Sequence, residues 1–305
     1  MDLRQLTAIV AVVDHGGFTR AAEALHIAQP SISQTVKSLE RELGVSLFDR
    51  SAPPRSGPRL TAAGAALLAP ARQALRDLDT ARAAVAGVVE LRSGHVDLVC
   101  LPTLAADPVA AIIGRFRTAH PGITVRLAEP DHADSLMRMV MTGESEIGFT
   151  ELSAIGRAAP EALSTVELET QDYVAVVPRT MFDEQDRDRG RVELHELARH
   201  PLITTPLGTS TRRLIDEAFA GVEAEPQIAV ETEHREAITA LVRSGAGYSL
   251  LPRPVAEHIA RRDARTIEIS TPIRRRIGMV SRRGTLSPAA AALVEMVARG
   301  SRQSL

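Results

Sequence analysis

Residues 3–50 read LRQLTAIVAVVDHGGFTRAAEALHIAQPSISQTVKSLERELGVSLFDR, and the spacing of apolar side chains in this stretch decides the fold. Leu3, Leu6, Val10 and Val13 recur at helical intervals, which predicts a first helix with one apolar face. Gly16-Gly17 ends it, Phe18, Ala21, Ala22 and Leu25 mark a second short helix, and His26-Ile27-Ala28 leaves room only for a turn. Pro30 falls in the first turn of a third helix, where its missing N–H costs nothing, and Gly44 closes that helix. At about 100° per residue, Ile32, Val36, Leu39 and Leu43 gather on one face of this helix. Pro30, Gln34, Lys37 and Arg41 lie opposite, with Ser33 and Ser38 at the margins.

That second face carries an amide, hydroxyls and cations with almost no apolar side chain. In a major groove, Gln pairs with adenine N6/N7, Ser reads either edge, and Lys or Arg takes guanine or phosphate. An ordinary solvated face would read the same in isolation, so the surroundings decide. Helix, three-residue turn and polar-faced helix make a helix-turn-helix, and the small Ala21 and Ala22 fall where its two helices must approach closely. Beyond it, FDRSAPPRSGPRL (48–60) sets Arg50, Arg55 and Arg59 on a Pro/Gly-rich loop, which suits a wing lying along phosphates. Residues 1–60 hold seven cations against six anions, and the whole chain carries a net charge of -2, so any basic footprint is local. Aromatics are 3% of the chain and Trp is absent, which argues against stacking on single-stranded nucleic acid.

Residues 61–87 form an Ala-rich helical segment opened by Thr61 as a cap. Leu68, Ala71, Leu75, Leu78 and Val85 follow a 4-3 spacing, interrupted by Arg82, and Pro70 predicts a kink. The segment could be a helix packed on its own domain, but so narrow a stripe suits a partner helix better than a broad core, and two such helices are expected to pair as a short coiled coil. From His95 the pattern changes. HVDLVCL, ITVRLAE, EIGFTE, YVAVVP, LITT, QIAVE, YSLLP and TIEIS read as strands alternating with helical stretches, closed by a strand at 274–281 and a helix at 287–300. Such alternation predicts a parallel sheet covered by helices. The run DEQDRDRGR (183–191) reads as a solvated loop.

The stretch quoted first, together with RLTAAGAALL, resembles the LysR-type transcriptional regulators, and CLPTLA, IGFTE and VRSGAGYSLLP extend the resemblance through the rest of the chain. The resemblance implies a winged helix-turn-helix over 1–60, with Gln29, Pro30, Ser31, Ser33, Gln34, Lys37, Arg50, Arg55 and Arg59 facing DNA. It implies a linker and dimerisation helix over 61–89. It further implies a two-lobed, periplasmic-binding-protein-like α/β effector domain over 90–305, with lobe I at 90–161 and 268–305 and lobe II at 162–267. The crossovers between lobes are expected near Pro160–Ser164 and Glu268–Thr271. Implied partners are double-stranded DNA at an interrupted palindromic promoter site, a small-molecule inducer, a second or further copies of the chain in a dimer or tetramer, and RNA polymerase. The wing departs from the pattern, being about three residues longer than usual and carrying three prolines.

Ligands of open α/β sheets sit beyond the carboxyl ends of strands. Here that selects Thr103-Leu104, Asp131-His132 and Thr150-Glu151 from one lobe, and Thr204-Thr205, Gly208-Thr209 and Glu233-His234 from the other. The expected effector contacts are therefore Thr103, Leu104, His132, Thr150, Glu151, Thr205, Thr209, Glu233 and His234. Thr103 is an anion-binding candidate or a simple helix cap. Glu129, Glu151 and Glu233 each read as surface or hinge charges; were several to line the cleft, a ligand with an amino group would suit it better than a multiply charged anion. His132 and His234 lack the spacing of metal ligands, so no metal and no cofactor is expected.

Cys100, the single cysteine, reads as a buried inert thiol, whereas a peroxide sensor of the family would be expected to carry a pair. No catalytic constellation appears in the sequence, so an enzyme is not expected. Charges among the first residues speak against a signal peptide, and no run approaches a membrane span, so a cytoplasmic protein is expected. A solute-binding protein or an enzyme could share the two-lobed fold, but neither needs the N-terminal helices.

Overall fold

The computed structural model describes residues 1–49, 59–86, 94–130, 132–155, 162–182, 190–259, 263–284 and 286–303. Three helices open the chain: α1 (Leu3–Asp14), α2 (Phe18–Ala24) and α3 (Gln29–Leu43). Asp2 and Gln5 cap α1 reciprocally, each side chain taking the other's backbone N–H. Ile9, Val12, Ala21, Ala22, Ile32, Val36 and Leu39 form the core of this unit. Each fully buried branched side chain there contributes about 1.5–3 kcal/mol. Gly44 takes the left-handed conformation that ends α3. The short strands β1 (Phe48–Asp49) and β2 (Arg59–Leu60) pair antiparallel. Their ribbon is the base of the expected wing; Arg50 and Arg55 lie outside the described residues.

Helix α4 (Ala62–Ala86) follows, with Thr61 as its cap: the Thr61 hydroxyl accepts from Gly64 N at 3.1 Å and donates to the Ser46 carbonyl at 2.7 Å. Gly64 is pressed against the Leu47 carbonyl and the Leu60 side chain, leaving no room for a Cβ. The expected seam along α4 divides in two. Leu68 and Ala71 are buried within their own chain, where α4 packs along α1, while Leu75 and Leu78 remain half-exposed. The side chain of Val85 lies outside the described residues.

The remaining chain runs β3 (Gly94–Cys100), α5 (Pro102–Leu104), a wide helical turn at Ala105–Val109 broken at Asp107, and α6 (Ala110–Ala119). It continues through β4 (Ile123–Ala128), α7 (Ala133–Met141), β5 (Ile147–Glu151), α8 (Leu152–Ile155) and β6 (Leu163–Pro178). Next come β7 (Arg191–Val192), α9 (Leu194–Leu197), β8 (Pro201–Thr204), α10 (Ser210–Ala220), β9 (Gln227–Glu231) and α11 (Arg235–Arg243). The chain closes with β10 (Ser249–Pro252), α12 (Arg253–Ile259), β11 (Ala264–Ile269), β12 (Arg274–Arg282) and α13 (Pro288–Gln303).

Strands β4, β3 and β5 are parallel neighbours, and β5 is followed by β12 and then β6, both antiparallel. Beyond Gln171 and Asp172, β6 leaves β12 and enters a second sheet, where Tyr173–Pro178 pairs with β10 and β11. One core lies under the first sheet, around Leu98, Phe116, Phe149 and Leu293, and two more flank the second. The architecture is thus the expected pair of α/β lobes behind a mostly helical reader that carries one two-stranded ribbon.

Three expectations need correction. The first crossing between lobes falls at Gln171–Tyr173, not at 160–164, because 163–172 is not a connection but the first half of a continuous strand held by β12. The lobe boundary expected at 161/162 moves with it. The sheet is mixed rather than parallel: the two crossing strands, β6 and β12, run antiparallel to each other. Leu43 is 40% exposed, because the apolar face of α3 ends at Leu39, and the buried position of the last turn is filled by Glu40, whose carboxylate accepts from the N–H of Leu47 and of Phe48.

Candidate functional site

Two sites emerge, a polar helix face and an inter-lobe cleft. On α3, Gln29, Pro30, Ser31, Gln34, Lys37 and Arg41 are exposed, and Ser33 is half-buried. Gln29 Nε2 donates to Ser33 Oγ at 3.1 Å, so these two side chains are presented as a pair. Gln34 and Lys37 stand one turn apart on the side opposite Ile32, Val36 and Leu39. Arg59 is exposed on β2, at the wing's base. The helix is held from its inner side, by the buried stripe and by Glu40, which leaves its outer face free to enter a groove.

At the cleft, the expected residues sort into distinct surroundings. His132, Thr205, Thr209 and Glu233 come together with Pro206, Leu207 and Arg235 around a cavity of about 170 Å³. His132 reaches across from α7, its Nδ1 lying 3.1 Å from the Gly208 carbonyl. Gly208 has φ +89, a backbone conformation that residues other than glycine rarely adopt, and it lies beside the His132 ring. The hydroxyls of Thr205 and Thr209 bond at 2.6 Å, and Thr209 caps α10 by accepting from Arg212 N. Glu233 is exposed, and so is His234, which stands at the N-terminal end of α11.

The other expected contacts lie apart from that cavity. Thr150 is fully buried and its hydroxyl has no partner among the described residues. Leu104 packs inside the first lobe's core. Glu151, buried in β5, is paired with Arg213 of α10 at 2.8 Å, which neutralises it across the cleft and ties the lobes together. Glu129 is exposed. The acidic cleft that would favour an amino group is therefore not assembled. Thr103 is no helix cap: that position belongs to Leu101, and the Thr103 hydroxyl instead accepts from Arg275 Nη1 at 2.8 Å. Arg275 and Gln171 escaped the sequence reading. The signal was the run Arg274-Arg275-Arg276, for the period-two alternation of a strand must turn the middle arginine inward.

A third cluster joins the linker to the first lobe, and it too went unread. Arg72 of α4 is buried, ion-paired to Asp14 at the end of α1 and donating to the Thr142 carbonyl and hydroxyl. One turn on, Arg76 donates to the Gly143 carbonyl at 2.8 Å and stands 3.6 Å from the buried Glu146. Glu146 also accepts from the backbone N–H and the hydroxyl of Ser287 at the start of α13. Burial pushes the Arg76 and Arg282 guanidinium groups down from their ordinary values, with Glu146 opposing the shift in both. Cys100 sits inside β3, where burial pushes its thiol up to about 12. It is accordingly a protonated, unreactive thiol at neutral pH.

Comparison with known proteins bears on both sites. Residues 3–65 match the family model "Bacterial regulatory helix-turn-helix protein, lysR family", and residues 90–302 match "LysR substrate binding domain". The SDS degradation transcriptional activation protein of a Pseudomonas species is 33% identical over 300 residues, spanning 96% of this chain and 94% of its own. The transcriptional regulator IlvY of Escherichia coli is 28% identical over 85% of this chain and 84% of its own. Among solved structures, full-length CbnR complexed with its target DNA superposes with a TM-score of 0.63 at 28% identity, covering 98% of this chain and 99% of that one. Full-length OxyR from Pseudomonas aeruginosa superposes at 0.74 over 99% of this chain and 95% of its own, with 24% identity, a likeness of fold alone.

Proposed function

The chain belongs to the LysR-type transcriptional regulators, a family of DNA-binding proteins rather than enzymes, and from that membership we propose how its parts divide the work. Helix α3 enters the major groove. Gln34 and Ser33 read base edges, the latter together with Gln29, while Pro30 and Ser31 face the groove at the helix start. Lys37, Arg59 and the wing residues Arg50 and Arg55 hold phosphates. Two copies pair through the half-exposed Leu75 and Leu78 of α4, in a dimer or a tetramer, so that two readers meet the two halves of an interrupted palindromic promoter site. RNA polymerase is the partner that turns this binding into regulation, and the cytoplasm is where it meets the promoter.

A small-molecule inducer occupies the cleft, contacted by Thr103 and His132 from the first lobe and by Thr205, Thr209 and Glu233 from the second. Leu104, Thr150, Glu151 and His234 form the supporting shell. Inducer binding favours one arrangement of the lobes. The Arg72 and Arg76 contacts to Thr142, Gly143 and Glu146 carry that bias to α4 and, through Asp14, to α1. A ligand shifts such an equilibrium only by its differential affinity, typically about 1–3 kcal/mol.

The observation carrying this reading is the division of α3 into a buried apolar stripe and an exposed face of Gln29, Gln34, Lys37 and Arg41. The experiment is footprinting of the full-length protein on the intergenic DNA beside its own gene. Protection of two half-sites, lost in Gln34→Ala, is the expected result. Protection that Gln34→Ala leaves unchanged removes α3 as the reader.

A further inference from the structure

Three consecutive arginines open β12, and their pairing is inverted with respect to their burial. Arg274 and Arg276 are exposed and each has a carboxylate, Asp172 at 2.8 Å and Glu167 at 2.6 Å. Arg275 between them is 1% exposed, and among the described residues no carboxylate lies within ion-pair distance of it. Its partners are neutral. Nε and Nη2 donate to Gln171 Oε1 at 3.1 and 2.7 Å, Nη1 donates to the Thr103 hydroxyl at 2.8 Å, and the Tyr173 ring lies 5.3 Å from the guanidinium carbon. Gln171 is held with its oxygen toward the arginine because its amide nitrogen donates to Glu169 at 3.0 Å and to Asp107 at 3.4 Å.

Leaving a guanidinium unpaired in the interior costs several kcal/mol, and a protein rarely retains one without use. The cost is greatest at the one arginine of the three that lacks a counter-charge. Of the five N–H donors, those still available are on Nη1 and Nη2, the fork that accepts a planar carboxylate at both oxygens. The position matters equally. Arg275 and Gln171 are direct cross-strand partners on β12 and β6, at the point where both strands pass from one lobe to the other, and Thr103 closes on them from the first lobe. The cluster therefore lies at the hinge, where a bound charge would engage both crossing strands and the first lobe at once.

We propose that Arg275, with the Thr103 hydroxyl and Gln171, is the subsite for a single carboxylate on the inducer, so that the effector class is a monocarboxylic acid. This rests on the cleft reading above, and Arg275 is its specificity-determining residue. The carboxylate takes the Nη1 and Nη2 hydrogens and the Thr103 hydroxyl proton, supplying the counter-charge that the fold withholds.

The test is thermal unfolding of the full-length protein with acetate, butanoate, benzoate and phenylacetate, each beside its neutral amide and, for the aromatic ring, benzenesulfonate. Salts are matched in ionic strength and used at about 10 mM, where a millimolar ligand raises Tm by roughly 2 °C or more. At least one carboxylate is expected to raise Tm while its amide does not, and Arg275→Gln is expected to lose that rise. Thr103→Val keeps the charge and should weaken the same carboxylate about tenfold, which serves as the second reading if Arg275→Gln folds poorly. A rise retained in Arg275→Gln, equal rises from acid and amide, preference for the sulfonate, or no response to any carboxylate overturns the proposal. Amides that stabilise wild type and Arg275→Gln alike would leave the cleft reading standing and remove only the anion.

Discussion

The helical reader and the inter-lobe cleft use polar side chains in opposite ways. On α3 the functional face is exposed, and apart from the Gln29–Ser33 contact its side chains wait for DNA. In the cleft, Thr103, Thr205, Thr209 and Glu151 are buried, and each is already engaged, with Arg275, with one another or with Arg213. The reader meets a ligand of fixed and known shape, so it can present a finished surface. On the proposed function the cleft changes state when it binds, so its polar atoms satisfy one another first, and a ligand would act by replacing those bonds. Exposure is thus the mark of the site in one region, and interlocked burial is its mark in the other.

The largest expected effect tests whether the reader works alone. Leu78→Asp puts a charge on the exposed half of the α4 stripe, and a charge enclosed without a partner costs several kcal/mol. The variant should be monomeric by light scattering and should lose operator binding. A dimer that persists would show that pairing runs through another surface, and that the Leu68–Ala71 half of the helix, which packs on its own chain, is typical of the whole. The next effect stays within the reader. Gln34→Ala should cost about 1–3 kcal/mol at the cognate site and relax its sequence preference, whereas Lys37→Ala should weaken all sequences alike and lower the salt slope by about one. Equal behaviour of the two variants in a gel-shift series over salt would erase the distinction between reading and holding.

The contrast also explains what the sequence disclosed. The apolar stripe Ile32, Val36, Leu39 follows from helical periodicity, and what a helix does not bury it must show, so the exposed polar face of α3 could be read by subtraction. Thr61 as cap and Gly44 as stop were legible for the same local reasons. The half-strand LSTVELET was missed although Val166 and Leu168 alternate with polar residues, because one-sided alternation in so polar a stretch looks like a loop until β12 is seen beside it. Arg275 was missed because its partners are 104 and 172 positions away. The Arg72 and Arg76 junction was missed for the same reason: Thr142 and Gly143 lie 70 and 67 positions away. Local pattern reveals which side chains are turned inward; it does not reveal what they meet there.

Within the cleft, Thr103→Val should weaken the inducer response by about tenfold, since the inducer carboxylate loses the Thr103 hydroxyl as a donor, and a hydrogen bond to a charged group is worth about 1.5–3 kcal/mol. Operator affinity without inducer should stay near that of the wild type, because Thr103 touches neither α4 nor the reader. A reporter dose-response curve beside a gel-shift without inducer separates the two. An unshifted curve removes Thr103 from the site, and lost DNA binding makes it structural.

The smallest effect concerns the contact that holds the cleft mouth. His132 is exposed, and its bond to the Gly208 carbonyl is a second link between the lobes besides the Glu151–Arg213 pair. An exposed hydrogen bond contributes about 0.5–1.5 kcal/mol, so His132→Ala should raise the open population by only a few-fold. The effect should appear as faster amide exchange at Thr209 and Arg212, whose N–H groups are held within the 205–209 turn, with no change along α3. Unchanged exchange would mean that the Glu151–Arg213 pair alone sets the lobe arrangement. Faster exchange in α3 as well would mean that the cleft and the reader share one opening motion, and the division between a finished surface and an interlocked one would have to be given up.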